Sequence, residues 1–77
     1  EQVSFHLVLL DPPYQMKIHQ KILDFLVEHH MLCDQCIIVI EDLKEETIDV
    51  KEPFVLKKQQ NYGITSLQIL VYKEKKS

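Results

Sequence analysis

The feature that most constrains this chain is an abrupt stop. Phe5-His6-Leu7-Val8-Leu9-Leu10 is a nearly continuous apolar run, and Asp11-Pro12-Pro13 cuts it short. A short run that is apolar on both faces reads as a buried strand, parallel to its neighbours. Proline has no N–H to give to a sheet ladder, so the strand ends where the prolines begin. Over residues 17–30 the period changes. Ile18, Ile22, Phe25, Leu26 and His29 recur at helical spacing, while Lys17, Gln20, Lys21, Asp24 and Glu28 fill much of the other face. Opposite charges three or four apart along that second face support a solvated surface. An amphipathic helix covering a sheet is predicted. Cys36-Ile37-Ile38-Val39-Ile40, rich in β-branched residues, is the second buried strand, ended by Glu41-Asp42. Strand, helix and strand of these lengths make a βαβ unit with parallel strands and a right-handed crossover.

The remainder closes the sheet. Residues 41–53 are polar and acidic, anchored by Leu43, Ile48 and Val50, and read as a loop with room for a short helix. Residues 54–60 form a third strand. Asn61-Tyr62-Gly63 is a turn in which the sole glycine takes a left-handed conformation at low cost. The last strand covers residues 64–72. Ile64, Ser66, Gln68, Leu70 and Tyr72 share one face, with Thr65, Leu67, Ile69 and Val71 on the other. So short a turn makes this pair an antiparallel hairpin. The fold class is α/β, in the order β-α-β-(loop or short helix)-β-β. That order resembles the last half of a doubly wound, Rossmann-like sheet, with an unpaired flank on the first strand.

Size and charge limit the functions available. A chain of 77 residues holds one domain at most, with a core worth about 3–5 kcal/mol. Hydrophobic residues at 45% and charged residues at 27% fit an ordinary globular domain. No apolar run reaches the roughly 18 residues of a transmembrane helix, so no membrane partner is expected. The start, Glu1-Gln2-Val3-Ser4, lacks the pattern of a signal peptide. Opening almost directly on a strand, without Met, the chain reads as a piece of something larger. The net charge of −3 argues against sequence-independent binding to phosphate backbones. Lys73, Lys75 and Lys76 form a basic cluster whose expected role is solvation rather than nucleic-acid contact. Cys33 and Cys36, with no secretory signal, are expected to be reduced thiols in the cytoplasm.

Asp11-Pro12-Pro13-Tyr14 carries the chemistry. In open α/β sheets ligands bind outside the carboxyl ends of the strands, which is where this motif falls. Asp and Pro also favour ordinary turns, but the setting between an apolar strand and an amphipathic helix favours a site. Methyl transfer to an exocyclic base amine needs the nitrogen lone pair aimed at a sulfonium methyl. The Asp11 carboxylate and the Pro12 carbonyl can accept both amine hydrogens and stabilise the positive charge that develops on nitrogen. Pro12 and Pro13 stiffen the turn, so the acceptors hold their geometry. Tyr14 offers a ring face on which an extruded base can stack.

These pieces resemble the RsmD-like family of class I methyltransferases, which modify guanine N2 in 16S ribosomal RNA. The likeness rests on residues 5–14, on Ile37-Ile38-Val39-Ile40-Glu41, and on Asn61-Tyr62-Gly63-Ile64-Thr65-Ser66-Leu67, in order over nearly the whole chain. The acidic Pro-Pro-Tyr motif alone is shared with adenine-N6 DNA methyltransferases; the hairpin favours the ribosomal RNA family. The resemblance implies a single partial domain, residues 1–77, that is the C-terminal catalytic half. It implies S-adenosylmethionine as cofactor and ribosomal RNA or the small ribosomal subunit as partner of the full-length protein. The glycine-rich loop and the acidic residue that hold the cofactor in such enzymes are lacking, so the chain alone is not expected to turn over.

Other residues are weighed beside the motif. Glu41 ends a strand and either supports Asp11 or is simply solvated. Tyr62 and Asn61, at the hairpin, join Tyr14 as substrate-binding candidates, against a plain packing role for the tyrosine. His29, His30, Cys33 and Cys36 invite a zinc site. Adjacent histidines on a helix point about 100° apart, however, and Cys36 begins a strand, so no metal is expected. His6 is expected to be a packed or hydrogen-bonded core residue, and Cys33 and Cys36 to be small buried hydrophobes. Cys33-Asp34-Gln35-Cys36 precedes a strand rather than opening a helix, which disfavours a redox role. The open flank predicts self-association. The competing functions are an adenine-N6 DNA methyltransferase fragment and a non-catalytic binding or assembly module.

Overall fold

The computed structural model describes residues 4–10 and 18–74. Along the chain the elements are β1 (Phe5–Leu10), α1 (Ile18–Glu28), β2 (Leu32–Leu43), a single 3-10 turn (Lys44–Glu46), β3 (Phe54–Tyr62) and β4 (Thr65–Tyr72). The sheet order is β1-β2-β4-β3. β2 lies parallel to β1, and β4 is antiparallel to both β2 and β3. It follows that β1, β2 and β3 run in the same direction and end at one edge. This is the mixed α/β half-sheet expected from the sequence, with the closing strand inserted between its two predecessors. Among the described residues no helix is long and apolar enough to cross a membrane.

The core lies on one face. Leu23 and Leu26 of α1 pack in one cluster with Leu32, Cys36, Ile38 and Ile40 of β2, Phe54 of β3, and Leu70 and Tyr72 of β4. Ile38 pairs with Val8 on one side and with Leu70 on the other, so three strands meet under the helix in a single row. The rings of Phe54 and Tyr72, opposite each other in the hairpin, sit 5.6 Å apart and tilted, a favourable aromatic geometry. Within β4 the alternation is as expected, Ser66, Gln68, Leu70 and Tyr72 being buried and the intervening residues half-buried, but Ile64, placed by sequence on the same face, lies in the hairpin loop and is 77% exposed. Gly63 takes φ 57° at the first residue of the two-residue hairpin loop, as a glycine there allows.

Several expectations need correction. The buried face of α1 is His19, Leu23 and Leu26; of the predicted stripe it keeps Leu26, with Ile22 half-buried beside it. Ile18 and Phe25 are exposed, and Phe25 stacks on His29 with centroids 4.2 Å apart. Apolar residues occupy both stripes, so periodicity located the helix without fixing which line of side chains meets the sheet. β2 and β3 both run beyond their predicted ends, β2 through Leu43 and β3 through Tyr62. β2 also starts earlier, at Leu32. Its first part is interrupted by a bulge: Phe5 pairs with Leu32, yet Leu7 already pairs with Ile37. Gln35 takes φ 70° inside that bulge. The bulge is tied down by Asp34, whose Oδ1 accepts from the Glu74 amide at 2.8 Å. Lys73, placed by sequence in a solvated cluster, donates to Gln35 Oε1 at 3.0 Å. Lys75 and Lys76 lie outside the described residues. His6 is exposed rather than packed in the core, because β1 is an edge strand.

β1 is also the main departure in burial. Leu7 is 55% exposed and Leu9 67%. Their face of the sheet continues through Ile37, Val39, Leu67, Ile69 and Val71, all apolar and none fully buried. Burying such a strand on both faces takes a neighbour beyond it and a layer over its far face. Among the described residues there is neither.

The end of α1 shows a local cost. The Met31 amide donates to Leu26 O at 2.9 Å and the His30 amide to Val27 O at 3.1 Å, the two bonds of a Schellman motif. The left-handed position in that motif usually holds glycine; here it holds His30, at φ 55°. His30→Gly is therefore expected to stabilise the chain by about 1 kcal/mol, read from the midpoint of chemical denaturation. The exposed edge makes a second expectation. β1 carries no charged residue and no proline to discourage pairing with a second copy. Sedimentation should show a concentration-dependent dimer that Leu9→Lys weakens; an unchanged monomer up to millimolar concentration would count against it.

Candidate active-site edge

The parallel strands deliver several polar residues to one edge. β1 ends at Leu10, opposite Ile40. The next residue of β2, Glu41, pairs with Leu67 and is half-buried on the uncovered face. Asp42 follows on the helix side, 2% exposed, opposite Ser66. Asn61 and Tyr62 end β3 at the same edge, opposite Ser66 and Thr65, and both are exposed. The Thr65 hydroxyl donates to the Tyr62 carbonyl at 3.0 Å, which tightens the hairpin beneath the ring. β2 and β4 stand between β1 and β3, so Tyr62 lies roughly 14 Å across the sheet from β1, at about 4.8 Å per strand. Asp11, Pro12, Pro13 and Tyr14 lie outside the described residues. They are the sequence immediately after Leu10, between this edge and α1.

Sequence reasoning missed the buried polar group at this edge. His19, in the first turn of α1, brings Nδ1 within 3.0 Å of Asp42 Oδ1, and both side chains are almost fully buried. Asp42 Oδ2 and the neighbouring Gln68 Oε1 have no hydrogen-bond partner among the described residues. Gln68 uses its amide to donate to Ile48 O at 3.3 Å, and Gln59 donates to Ser66 Oγ at the same distance. The core thus grades from Leu70 and Ile38 into a polar layer at its carboxyl end. Each unsatisfied buried group costs about 1–3 kcal/mol, so this layer is not there for stability alone. No local signal announces the pair: a histidine beside an apolar stripe and an aspartate at a strand end look unrelated until the fold joins them.

The cysteines and remaining histidines do not converge. Cys36 is buried, and burial, with a smaller push from Cys33, raises its thiol above the ordinary value. Metal binding requires the thiolate, which that shift disfavours. Cys33 is only half-buried, not fully as expected, and its Sγ lies 3.6 Å from His6 Nε2. Among the described residues no three His, Cys, Asp or Glu side chains are grouped to hold a metal ion. A groove of about 750 Å³ runs between α1 and residues 45–54 over Leu23, Val27, Ile48 and Phe54. It lies toward β3, away from the end of β1.

Comparison with known proteins places this geometry. A family described as Conserved hypothetical protein 95 matches residues 1–71. An uncharacterized methylase of Rickettsia prowazekii (strain Madrid E) is 34% identical over 68 residues, covering 88% of this chain and 29% of the relative. A Haemophilus influenzae chain provisionally assigned as a methylase superimposes with a TM-score of 0.86 at 27% identity, over 96% of this chain and 46% of that one. A conserved hypothetical protein of Streptococcus pyogenes superimposes with a TM-score of 0.83 at 26% identity, over 95% and 46%. The chain therefore spans less than half the length of these relatives. It belongs to the Conserved hypothetical protein 95 family, among whose relatives are proteins named as methylases.

Proposed function

We propose that this chain carries the substrate side of S-adenosylmethionine-dependent methyl transfer to the exocyclic amine of a guanine in small-subunit ribosomal RNA. The observation that carries the reading is one of connection. The chain passes from the carboxyl end of a parallel strand to the start of a helix through Asp11-Pro12-Pro13-Tyr14. Kinship with proteins named as methylases supports the reaction class.

In this reading the Asp11 carboxylate and the Pro12 carbonyl accept the two amine hydrogens and direct the nitrogen lone pair. As the amine becomes cationic, the same two oxygens stabilise the charge without rearranging. Pro13 keeps the turn stiff, and the Tyr14 ring stacks on the base. Glu41, next to the end of β1, supports the acceptors from the strand alongside. Asn61 and Tyr62, some three strand spacings away, meet a flanking nucleotide rather than the reacting base.

The cofactor's main cradle does not fit the residues present. The single glycine, Gly63, lies in the hairpin loop with open space around it, and no glycine-rich turn follows a strand. The chemistry assigned to this chain is accordingly confined to the substrate. Calorimetry of the 77-residue chain with S-adenosylmethionine is expected to show no micromolar binding; a micromolar constant would overturn that assignment.

Asp11→Ala in the whole protein tests the reaction. Methyl incorporation into small-subunit ribosomal RNA should fall by at least about 100-fold, the usual cost of one preorganised electrostatic partner. Incorporation into adenine of DNA instead would favour the rival methyltransferase reading. Unchanged methylation would remove Asp11 from the site and favour a binding or assembly module.

A further inference from the structure

The chain's acidic surplus is not spread evenly. Its net charge is −3, yet residues 53–73, which hold both strands of the hairpin, contain Lys57, Lys58 and Lys73 and no Asp or Glu. Lys73 is engaged with Gln35. Lys57 and Lys58 are exposed, as is every residue of β3 after Phe54. A local irregularity decides where these side chains point. Leu56 pairs with Leu70, and Lys58 pairs with the adjoining Ile69, so Lys57 is the extra residue of a bulge. Strand residues alternate between faces, and the extra residue reverses the alternation for the rest of β3. Without it, Gln59 and Asn61 would share the face of Ile69. With it, Lys58, Gln60 and Tyr62 line up there, opposite Ile69, Leu67 and Thr65.

Lysines and a bulge also discourage an edge strand from pairing with another sheet. That role asks nothing of the end of the strand. The polar row nevertheless runs on to Tyr62 at the carboxyl edge, 53% exposed and steadied by the Thr65 hydroxyl on its carbonyl. The same face is apolar on β4, so β3 is the wet margin of an apolar surface. Glu41 shares that face but stands two strands away, with Leu67 between it and Gln60. Along the row, side chains recur about every 6.8 Å, a step that successive nucleotides of an extended strand can match. A cation, an amide and an exposed ring in line are the parts from which single-strand binding surfaces are built.

We propose that β3 is a docking track for the single-stranded RNA that flanks the reacting base. Lys58, with Lys57 beside it, holds phosphates; Gln60 hydrogen-bonds the strand; Tyr62 stacks the nucleotide nearest the carboxyl edge. The choice of RNA rests on the function proposed above. Contacts to phosphate and to a ring face tolerate any sequence, and two cations bind weakly. The track therefore orients the RNA toward the edge where β1 also ends, and leaves the choice of base to the site.

The test uses a short fluorescein-labelled single-stranded RNA of mixed sequence. In amide NMR spectra of the 77-residue chain, adding it should move signals of residues 57–62. Movement confined to other residues, or none at millimolar RNA, would overturn the track. In anisotropy titrations of the whole protein over a range of salt, Lys58→Ala should weaken binding several-fold. It should also lower the slope of log affinity against log salt by about 0.7, the share of one phosphate contact on a single strand. Tyr62→Ala should weaken binding roughly 10-fold without changing that slope, and Tyr62→Phe should restore it. Lys51→Ala, at an exposed lysine beside the groove under α1, should change neither. An unmoved slope in Lys58→Ala, or an equal effect from Lys51→Ala, would sink the proposal. Tighter binding of the same sequence as DNA would overturn the choice of RNA. Methylation assays separate the two readings. If the whole protein methylates RNA and the Lys58→Ala and Tyr62→Ala variants keep its KM, the track fails and the methyl-transfer reading stands. If it methylates no RNA, that reading fails while the binding measurements still judge the track.

Discussion

Burial of Leu23 and Leu26 with Ile38, Ile40 and Leu70 is the interaction on which the rest of the structure depends. A fully buried leucine or isoleucine contributes about 1.5–3 kcal/mol, and a chain of this length has few of them. The contact performs several tasks together. It seats the helix, it keeps β2 and β4 in register beneath it, and it brings the helix start over the carboxyl edge. Every polar residue discussed at that edge, from Glu41 to Tyr62, is placed by strands that this cluster holds together.

Much of the fold was legible because its signals are local. The span of β1, the parallel βαβ unit and the final hairpin followed from an apolar run stopped by prolines, a change of period and a single glycine. What could not be read depends on contacts between distant residues. The azimuth of α1 was only partly right, keeping Leu26 and Ile22 but missing Leu23, because apolar side chains occupy two adjoining stripes, and only the sheet selects between them. The Cys33–Cys36 stretch hid a bulge whose anchors, Lys73 and Glu74, are about 40 residues away. β1 was read as buried because its composition is that of an interior strand. Composition records the burial a strand is suited to, while the actual burial depends on neighbours.

The candidate site divides along the same line. Asp11, Pro12, Pro13 and Tyr14 form a contiguous motif, and the sequence could nominate them with a chemical reason for each. His19 and Asp42 are 23 positions apart and individually unremarked, and only folding makes them a pair. Glu41 is between the two cases. Its position at a strand end was readable, whereas its link through Asp42 to the helix was not.

One feature of the sheet bears on how the chain acquires its structure. β4 is the last strand in sequence and an interior strand in space, gripped by β2 on one side and β3 on the other. Among the described residues β3 pairs only with β4. Until the final strand is synthesised, the earlier elements amount to a helix on two parallel strands, with β3 detached. Assembly of the sheet thus waits for β4, which acts as its keystone. During synthesis the carboxyl edge would be completed only once residues 65–72 have emerged.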